Sequence, residues 1–241
     1  MRVEISGGGL TIAAATKRLG SKAGVYVASD GIEGWYGAPA PQQEGEALPA
    51  GGSAWPASIT PSARVVTVHL VADSASSEDA MRTLDIANGM FGKRVVLAVT
   101  DASGRRTVEG YLSDGPTATP IAMGRKLLLD LVITCPDPSR YGQWASADVT
   151  RGAALIVGGN APTYPVLEIG EGVTAVTVDI GGHQVKWSGA GPAEIDFRDM
   201  RPTAGSVSVD DARPLEPGRN DVSVSRTGSG SVRMRWRPAW R

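Results

Sequence analysis

Residues 153–196, AALIVGGNAPTYPVLEIGEGVTAVTVDIGGHQVKWSGAGPAEID, carry the pattern that decides the fold of the second half of this chain. Short runs rich in Val, Ile and Leu alternate here with turns built from Gly, Pro and Asn. Gly and Asn adopt turn conformations easily and Pro has no amide to donate, so each such cluster ends a strand. The stretch therefore predicts short antiparallel strands joined by tight turns.

The same pattern continues to the last residues of the sequence. The predicted strands are Ala153–Val157, Thr163–Ile169, Val173–Ile180, Gln184–Trp187, Ala193–Asp196, Ser206–Val209, Asp221–Ser225 and Ser231–Trp236. Many short strands with turn signals at this spacing are typical of a β-sandwich. We therefore predict a C-terminal β-sandwich domain over residues 145–241.

The first half is also mainly β but contains one helix. The predicted strands are Ala23–Ile32, Arg64–Ala72, Arg94–Thr100, Arg105–Leu112 and Lys126–Thr134. Between them, Ser76 is suited to cap a helix that runs to Asn88, and Gly89 is suited to stop it. The sequence before the first strand, including Gly7-Gly8-Gly9, is interpreted as a flexible segment. These features predict an N-terminal domain over residues 1–144 with a single helix.

A long stretch without periodicity, Gly34–Pro61, interrupts the first half. Loops of this length usually carry function or lie against a partner. The stretch holds three large aromatic residues, and Asp130 interrupts an otherwise apolar strand, which implies that this strand face meets water or a partner. The predicted partner interface consists of Trp35, Tyr36, Trp55 and Asp130.

A second candidate surface lies near the other end of the chain. From Arg233 to Arg237 the residues alternate, so that Arg233, Arg235 and Arg237 share one strand face while Met234 and Trp236 share the other. Three arginines along one face would suit an acidic partner. The predicted peripheral partner surface consists of Trp187, Arg233, Arg235, Arg237 and Trp240.

The composition of the chain disfavours several classes of function. The 241 residues are 41% hydrophobic and 20% charged, as in a folded protein, and 24 basic against 25 acidic residues leave a net charge of −1. General nucleic-acid binding is therefore not favoured. Cys135 is the only cysteine and the two histidines, His69 and His183, lie far apart, so we expect no metal site and no cofactor. No apolar run is long enough to insert in a membrane, and no signal peptide is expected.

No catalytic motif stands out, and a non-enzymatic structural or binding role is predicted. Glu194 and Asp196 would share a strand face, as in a paired-carboxylate glycosidase or a calcium site, but they also suit a solvated sandwich face. Tryptophans at 187, 236 and 240 leave open a monomeric carbohydrate-binding or adhesin module, because exposed Trp rings stack on sugars.

Ordered motifs across the chain carry a family resemblance. Val157-Gly-Gly-Asn160 leads into Thr163–Gly170, followed by Ala193-Glu-Ile-Asp196, then by Leu215-Glu-Pro-Gly-Arg-Asn220 and the closing segment Arg233–Trp240. This order resembles the C-terminal domain of distal tail proteins of long-tailed bacteriophages. The first half is similar to the same family through Trp35-Tyr36-Gly37 and Asp137-Pro-Ser-Arg-Tyr-Gly142.

The resemblance implies a tail-tube-like β-barrel or sandwich with one helix, followed by a galectin-like β-sandwich. It implies a homo-hexameric ring at the tail tip of the virion, assembled in the host cytoplasm, with DNA passing through its lumen. The implied partners are the tail tube protein, the tape measure protein, a tail-associated lysin or hub protein or tail fibre, and a receptor-binding protein. Another minor tail component remains an alternative. The family's sugar-binding insertions have no room in this chain.

Overall fold

The computed structural model describes residues 1–17, 23–42 and 60–241. Its contacts divide the chain into two compact units, Met1–Arg140 together with Arg241, and Tyr141–Trp240. The boundary expected from the sequence lay between residues 144 and 145. Strands dominate both units, and the one helix among the described residues lies in the first. A mainly β fold with a single N-terminal helix is therefore confirmed.

The first unit is a closed barrel. Its elements are β1 (Arg2–Gly7), β2 (Leu10–Thr16), β3 (Gly24–Glu33), β4 (Arg64–Asp73), α1 (Ser77–Met90), β5 (Arg94–Asp101), β6 (Gly104–Leu112), β7 (Thr117–Ile121) and β8 (Lys126–Cys135), with the short β9 (Arg140–Tyr141) where the two units meet in sequence. The strand order β6-β5-β1-β2-β3-β4-β8 is closed by pairing of β6 with β8. Seven strands thus form the wall, and β7 adds to β8.

Buried and more exposed residues alternate strictly along β4 and β8, and this alternation explains the barrel wall. β4 and β8 pair in antiparallel register over their full length, with Val68 opposite Leu131 and His69 opposite Asp130. Every second residue of β8 from Leu129 to Cys135 is buried in the barrel core, and Leu127 is buried in a smaller cluster with Ala72 of β4 and Ala80 of α1. Since burial of a Leu or Val side chain contributes about 1.5–3 kcal/mol, this inward face supplies much of the stability of the first unit.

Helix α1 begins where the sequence predicts, because the Ser76 hydroxyl accepts a hydrogen bond from the Asp79 amide at 3.1 Å. Its predicted end was wrong. Gly89 lies inside the helix, where a Cβ would come within 2.6 Å of Leu10, so the glycine allows close packing on β2. The helix ends at Met90, and Gly92, with a φ of +72°, follows its C-cap.

The prediction of a flexible segment around Gly7-Gly8-Gly9 was also wrong. β1 and β2 form an antiparallel hairpin whose turn uses Gly8 and Gly9 at φ +58° and +80°. Gly7 lies against β5, where a Cβ would meet the Arg94 carbonyl oxygen at 2.7 Å. The three glycines therefore serve a tight turn and a close strand approach.

The second unit is a two-sheet sandwich. The strands of its two sheets are β10 (Ala145–Asp148), β11 (Ala153–Val157), β12 (Val166–Ile169), β13 (Val173–Ile180), β14 (His183–Ser188), β15 (Ala193–Asp196), β16 (Ser206–Asp210), β17 (Gly218–Gly228) and β18 (Val232–Trp236). The short β19 (Ala239–Trp240) belongs to neither sheet. One sheet has the order β10-β18-β12-β15 and the other β11-β17-β13-β14-β16. Side chains from both sheets share one core, so the predicted sandwich is confirmed, while its galectin-like topology stays a prediction.

Candidate interface surfaces

The predicted interface residues of the first unit separate into buried and exposed ones. Trp35 is 1% exposed and belongs to the barrel core, so its prediction as a contact residue was wrong. The reason is that the chain leaving β3 turns inward at Trp35, where the Arg140 guanidinium lies 5.7 Å from its ring. Tyr36 faces outward and is 59% exposed. Trp55 lies outside the described residues.

Tyr36 is held in place by a hydrogen bond from its hydroxyl to Asp101 Oδ2 at 3.1 Å. Burial and this bond both raise the pKa of Tyr36, so it remains a neutral donor at physiological pH. Burial raises the pKa of Asp101, but hydrogen bonds from Ser103 and Tyr36 outweigh it, and the net pKa is lowered. An exposed aromatic ring is thus anchored by a carboxylate at the turn between β5 and β6.

Sequence reasoning missed Arg64, the first residue of β4, which is 2% exposed. Its Nη1 donates to the carbonyl oxygens of Gly34 at 2.7 Å, Trp35 at 3.1 Å and Gly37 at 2.8 Å. Its Nε donates to the Pro138 carbonyl at 2.7 Å. Burial lowers the pKa of Arg64. No sequence signal separates this arginine from a surface residue, because its partners are backbone atoms distant along the chain.

Asp130 pairs within the chain. It lies opposite His69 in the β4–β8 register, and the His69 Nδ1 lies 2.7 Å from Asp130 Oδ1. Asp30 and Glu33 on β3 lie 3.9 and 3.8 Å from the same imidazole. Burial lowers the pKa of His69, but the three carboxylates outweigh it and the net pKa is raised. The solvent-facing side of β8 that the sequence predicted is present, and Asp130 remains a predicted interface residue.

Two tryptophans of the second unit are core residues. Trp187 is 2% exposed, and its Nε1 donates to the Ala204 carbonyl at 2.8 Å. Its prediction as a partner-contacting residue was wrong, because the outer side of β14 is taken by other residues and the ring packs between the sheets. Trp236 is buried as well, so neither ring is available to a sugar. Trp240 is half-buried.

The alternation of the β18 arginines is confirmed, but these side chains do not form a free basic face. Arg235 forms ion pairs with Glu168, at 3.0 Å, and with Glu194. Arg233 lies opposite Asp148 on β10 and Glu168 on β12. Arg235 is therefore paired with two carboxylates and Arg233 lies opposite two, while Arg237 lies beyond the end of β18. This corrects the prediction that three arginines share one strand face suited to an acidic partner.

The arginines instead stack on two aromatic residues that sequence reasoning did not select. We call this set the arginine–aromatic ladder: Tyr141, Trp144, Arg198, Arg235 and Arg237. Arg235 and Arg237 lie 5.0 and 5.7 Å from the Trp144 ring, and Arg237 and Arg198 lie 5.1 and 5.8 Å from the Tyr141 ring. Arg237 also donates to the Gly142 carbonyl at 3.0 Å. Trp144 remains exposed, so the ladder is an ordered surface feature.

The residues considered for chemistry have structural roles. Glu194 is held by Arg235, and Asp196 accepts a hydrogen bond from the Arg198 amide at 2.9 Å. Cys135 is buried, and burial raises its pKa to about 11. Within residues 1–17, 23–42 and 60–241, no group of three or more acidic, His or Cys side chains is placed to hold a metal ion. In the same ranges no helix has the length and apolar character needed to span a membrane.

Comparison with known proteins identifies the fold. No protein-family model and no curated protein matches the chain. Among solved structures, the Dit protein of phage SPP1, described as a paradigm of the hub adsorption apparatus in phages that infect Gram-positive bacteria, aligns with a TM-score of 0.69 and 14% identity over 99% of both chains. The chain has the fold of SPP1 Dit. Chains of the phage P2 baseplate in its activated conformation, with Ca and with Sr, align with TM-scores of 0.55 and 11% identity over 98% of both chains. The resemblance to distal tail proteins and the mainly β fold that it implied are thereby confirmed.

Proposed function

We propose that this protein is a structural component of a bacteriophage tail, acting as the distal tail protein of the baseplate. The observation that carries the proposal is the likeness to SPP1 Dit over 99% of both chains, which takes in both the barrel with its helix and the sandwich. An unrelated barrel or sandwich would be expected to match one unit only. In this role the protein has no enzymatic activity.

We further propose that six copies close into a ring at the tail tip of the virion. The ring joins the tail tube to the hub or tail fibre, DNA passes through its lumen, and assembly takes place in the host cytoplasm. A closed ring needs two different complementary faces on each copy. Tyr36, exposed and anchored, is suited to one of them. The partners proposed are the tail tube and tape measure proteins, the tail-associated lysin or hub protein, and a receptor-binding protein.

The competing role as a monomeric sugar-binding module receives less support. Two of the three tryptophans that suggested it, Trp187 and Trp236, are in the sandwich core. A different minor tail component would share the location but not the ring. The oligomeric state therefore separates the candidates.

Light scattering after size-exclusion chromatography, with negative-stain images of the same fractions, tests the proposal. Six copies of the 25.0 kDa chain give about 150 kDa and six-fold rings. Tyr36→Glu should lower the ring fraction, whereas Tyr164→Glu, at an exposed position of the second unit, should not. A protein that remains a monomer at every concentration contradicts ring formation. Gold-labelled antibodies should mark the tail tip of virions, and labelling elsewhere contradicts the proposed location.

A further inference from the structure

Arg64 connects the two ends of the segment that leaves the barrel between β3 and β4. It begins β4, while the carbonyls that it binds, on Gly34, Trp35 and Gly37, belong to the residues that follow β3. Its Nε reaches the Pro138 carbonyl, which follows β8. One side chain thus ties the start of β4 to two stretches of chain, one 27 to 30 residues and the other 74 residues away in sequence.

The two ends of the segment also meet through the backbone. The backbone N–H of Gln42 donates to the Thr60 carbonyl at 2.7 Å, and the backbone N–H of Ser62 donates to the Ala40 carbonyl at 2.8 Å. Together with Arg64, these bonds form a closed neck, which we define as residues 34–42 and 60–64. Tyr36 stands on this neck, with its hydroxyl on Asp101.

The electrostatics of Arg64 are unusual for a structural residue. Within the described part of the chain no carboxylate pairs with it, and backbone carbonyls alone offset the cost of removing its charge from water. Its Nη2 is buried and has no hydrogen-bond partner among the described residues. An apolar residue would be cheaper to bury, so the arginine is best explained by the several carbonyls that its fork holds at once.

We propose that Arg64 is a positioning residue for assembly, which locks the neck in one conformation and so presents Tyr36 to a second copy of this chain. The inference rests on the proposed ring. Loss of the Arg64 hydrogen bonds, which we call the clamp, would leave the barrel strands paired, because the β4–β8 register is also formed by the nine β4 residues that follow Arg64. It would free the neck, and the contact surface would then have to be ordered during assembly at an entropic cost.

The test compares Arg64→Met, Arg64→Lys and Val66→Ala in the full-length protein. Val66 is a fully buried β4 residue with its side chain in the barrel core, so Val66→Ala reports general destabilisation of the same strand. Arg64→Lys keeps the charge but has a single nitrogen donor in place of the fork. Two readouts are measured well below the melting temperature: the chymotrypsin cleavage rate at Tyr36–Gly37, mapped by mass spectrometry, and the concentration at which rings form.

Arg64→Met should raise the cleavage rate about 100-fold, because losing about two charge-assisted hydrogen bonds shifts the opening equilibrium of the neck by about that factor. The same variant should form no rings at the concentration at which the wild type assembles. Arg64→Lys should lie between Arg64→Met and wild type. Val66→Ala should lower the melting temperature while leaving both readouts within about threefold of wild type.

Equal cleavage in Arg64→Met and Val66→Ala overturns the clamp, and unchanged ring formation in Arg64→Met overturns its role in assembly while the proposed function stands. If the wild type forms no rings, the proposed ring fails, and the cleavage rates still decide whether Arg64 locks the neck. If Arg64→Met does not fold, the same comparison is made between Arg64→Lys and Val66→Ala.

Discussion

The pairing of His69 with Asp130 predicts that the first unit loses stability as the pH rises above neutrality. Charged His69 donates from Nδ1 to Asp130 at 2.7 Å, with Asp30 and Glu33 within 4 Å of the ring. A hydrogen bond to a charged group contributes roughly 1.5–3 kcal/mol. Because the Asp130 side chain is 49% exposed and therefore screened by solvent, we expect about 1 kcal/mol.

Stability falls with rising pH because folding raises the pKa of His69. The folded-state pKa of His69 is raised above its value of about 6.5 in the unfolded chain. The contribution of the charged His69–Asp130 pair to the free energy of unfolding is therefore complete below pH 6.5 and is lost as the pH rises through the folded-state pKa. Asp130→Asn should remove most of this dependence, although Asp30 and Glu33 still face the imidazole from β3.

Proton NMR can measure the titration directly, because the chain has only two histidines and His183→Asn leaves His69 alone. The His69 resonances should titrate above pH 6.5, and at lower pH in Asp130→Asn. Urea unfolding followed by circular dichroism at pH 6 and pH 9 should show the loss of about 1 kcal/mol in the His183→Asn background. A His69 that titrates at or below pH 6.5 refutes the reasoning.

Three further predictions concern packing and backbone conformation. Trp187→Ala should destabilise the second unit by about 3–5 kcal/mol in urea unfolding, whereas Trp144→Ala, at an exposed ring, should cost under about 1 kcal/mol; equal losses would contradict the core assignment. Gly34→Ala should cost at least about 2 kcal/mol, because φ is +72° and a Cβ would lie 2.0 Å from a carbonyl oxygen of β4. Gly37→Ala, with open space at its Cβ, is its control, and a similar melting temperature for both variants would count against the turn. Cys135, with a pKa of about 11, should resist iodoacetamide at pH 8 until urea unfolds the protein, and rapid native labelling would show an accessible thiol.

Local patterns in the sequence were sufficient for most strands and for the start of the helix. Val173–Ile180 and Ala193–Asp196 were predicted with the bounds that the structure has. The Ser76 cap was predicted because it depends on an amide only three residues away. Alternation, turn residues and caps are properties of neighbouring residues, so the sequence alone determined that the chain is mainly β, with helix α1 in its first half and a C-terminal sandwich.

The tertiary structure decided which of these residues are available to a partner. Trp35 and Trp187 have the residue type of an interface, but a tryptophan also fills a core, and only the path of the chain shows that both are buried. Arg64 has a role only through carbonyls 27 to 74 residues away. Arg235 of β18 is paired with Glu168 on β12 and with Glu194 on β15. Burial, charge balance and backbone partners depend on strands that are distant in sequence and adjacent in space, and no local pattern records which strands those are.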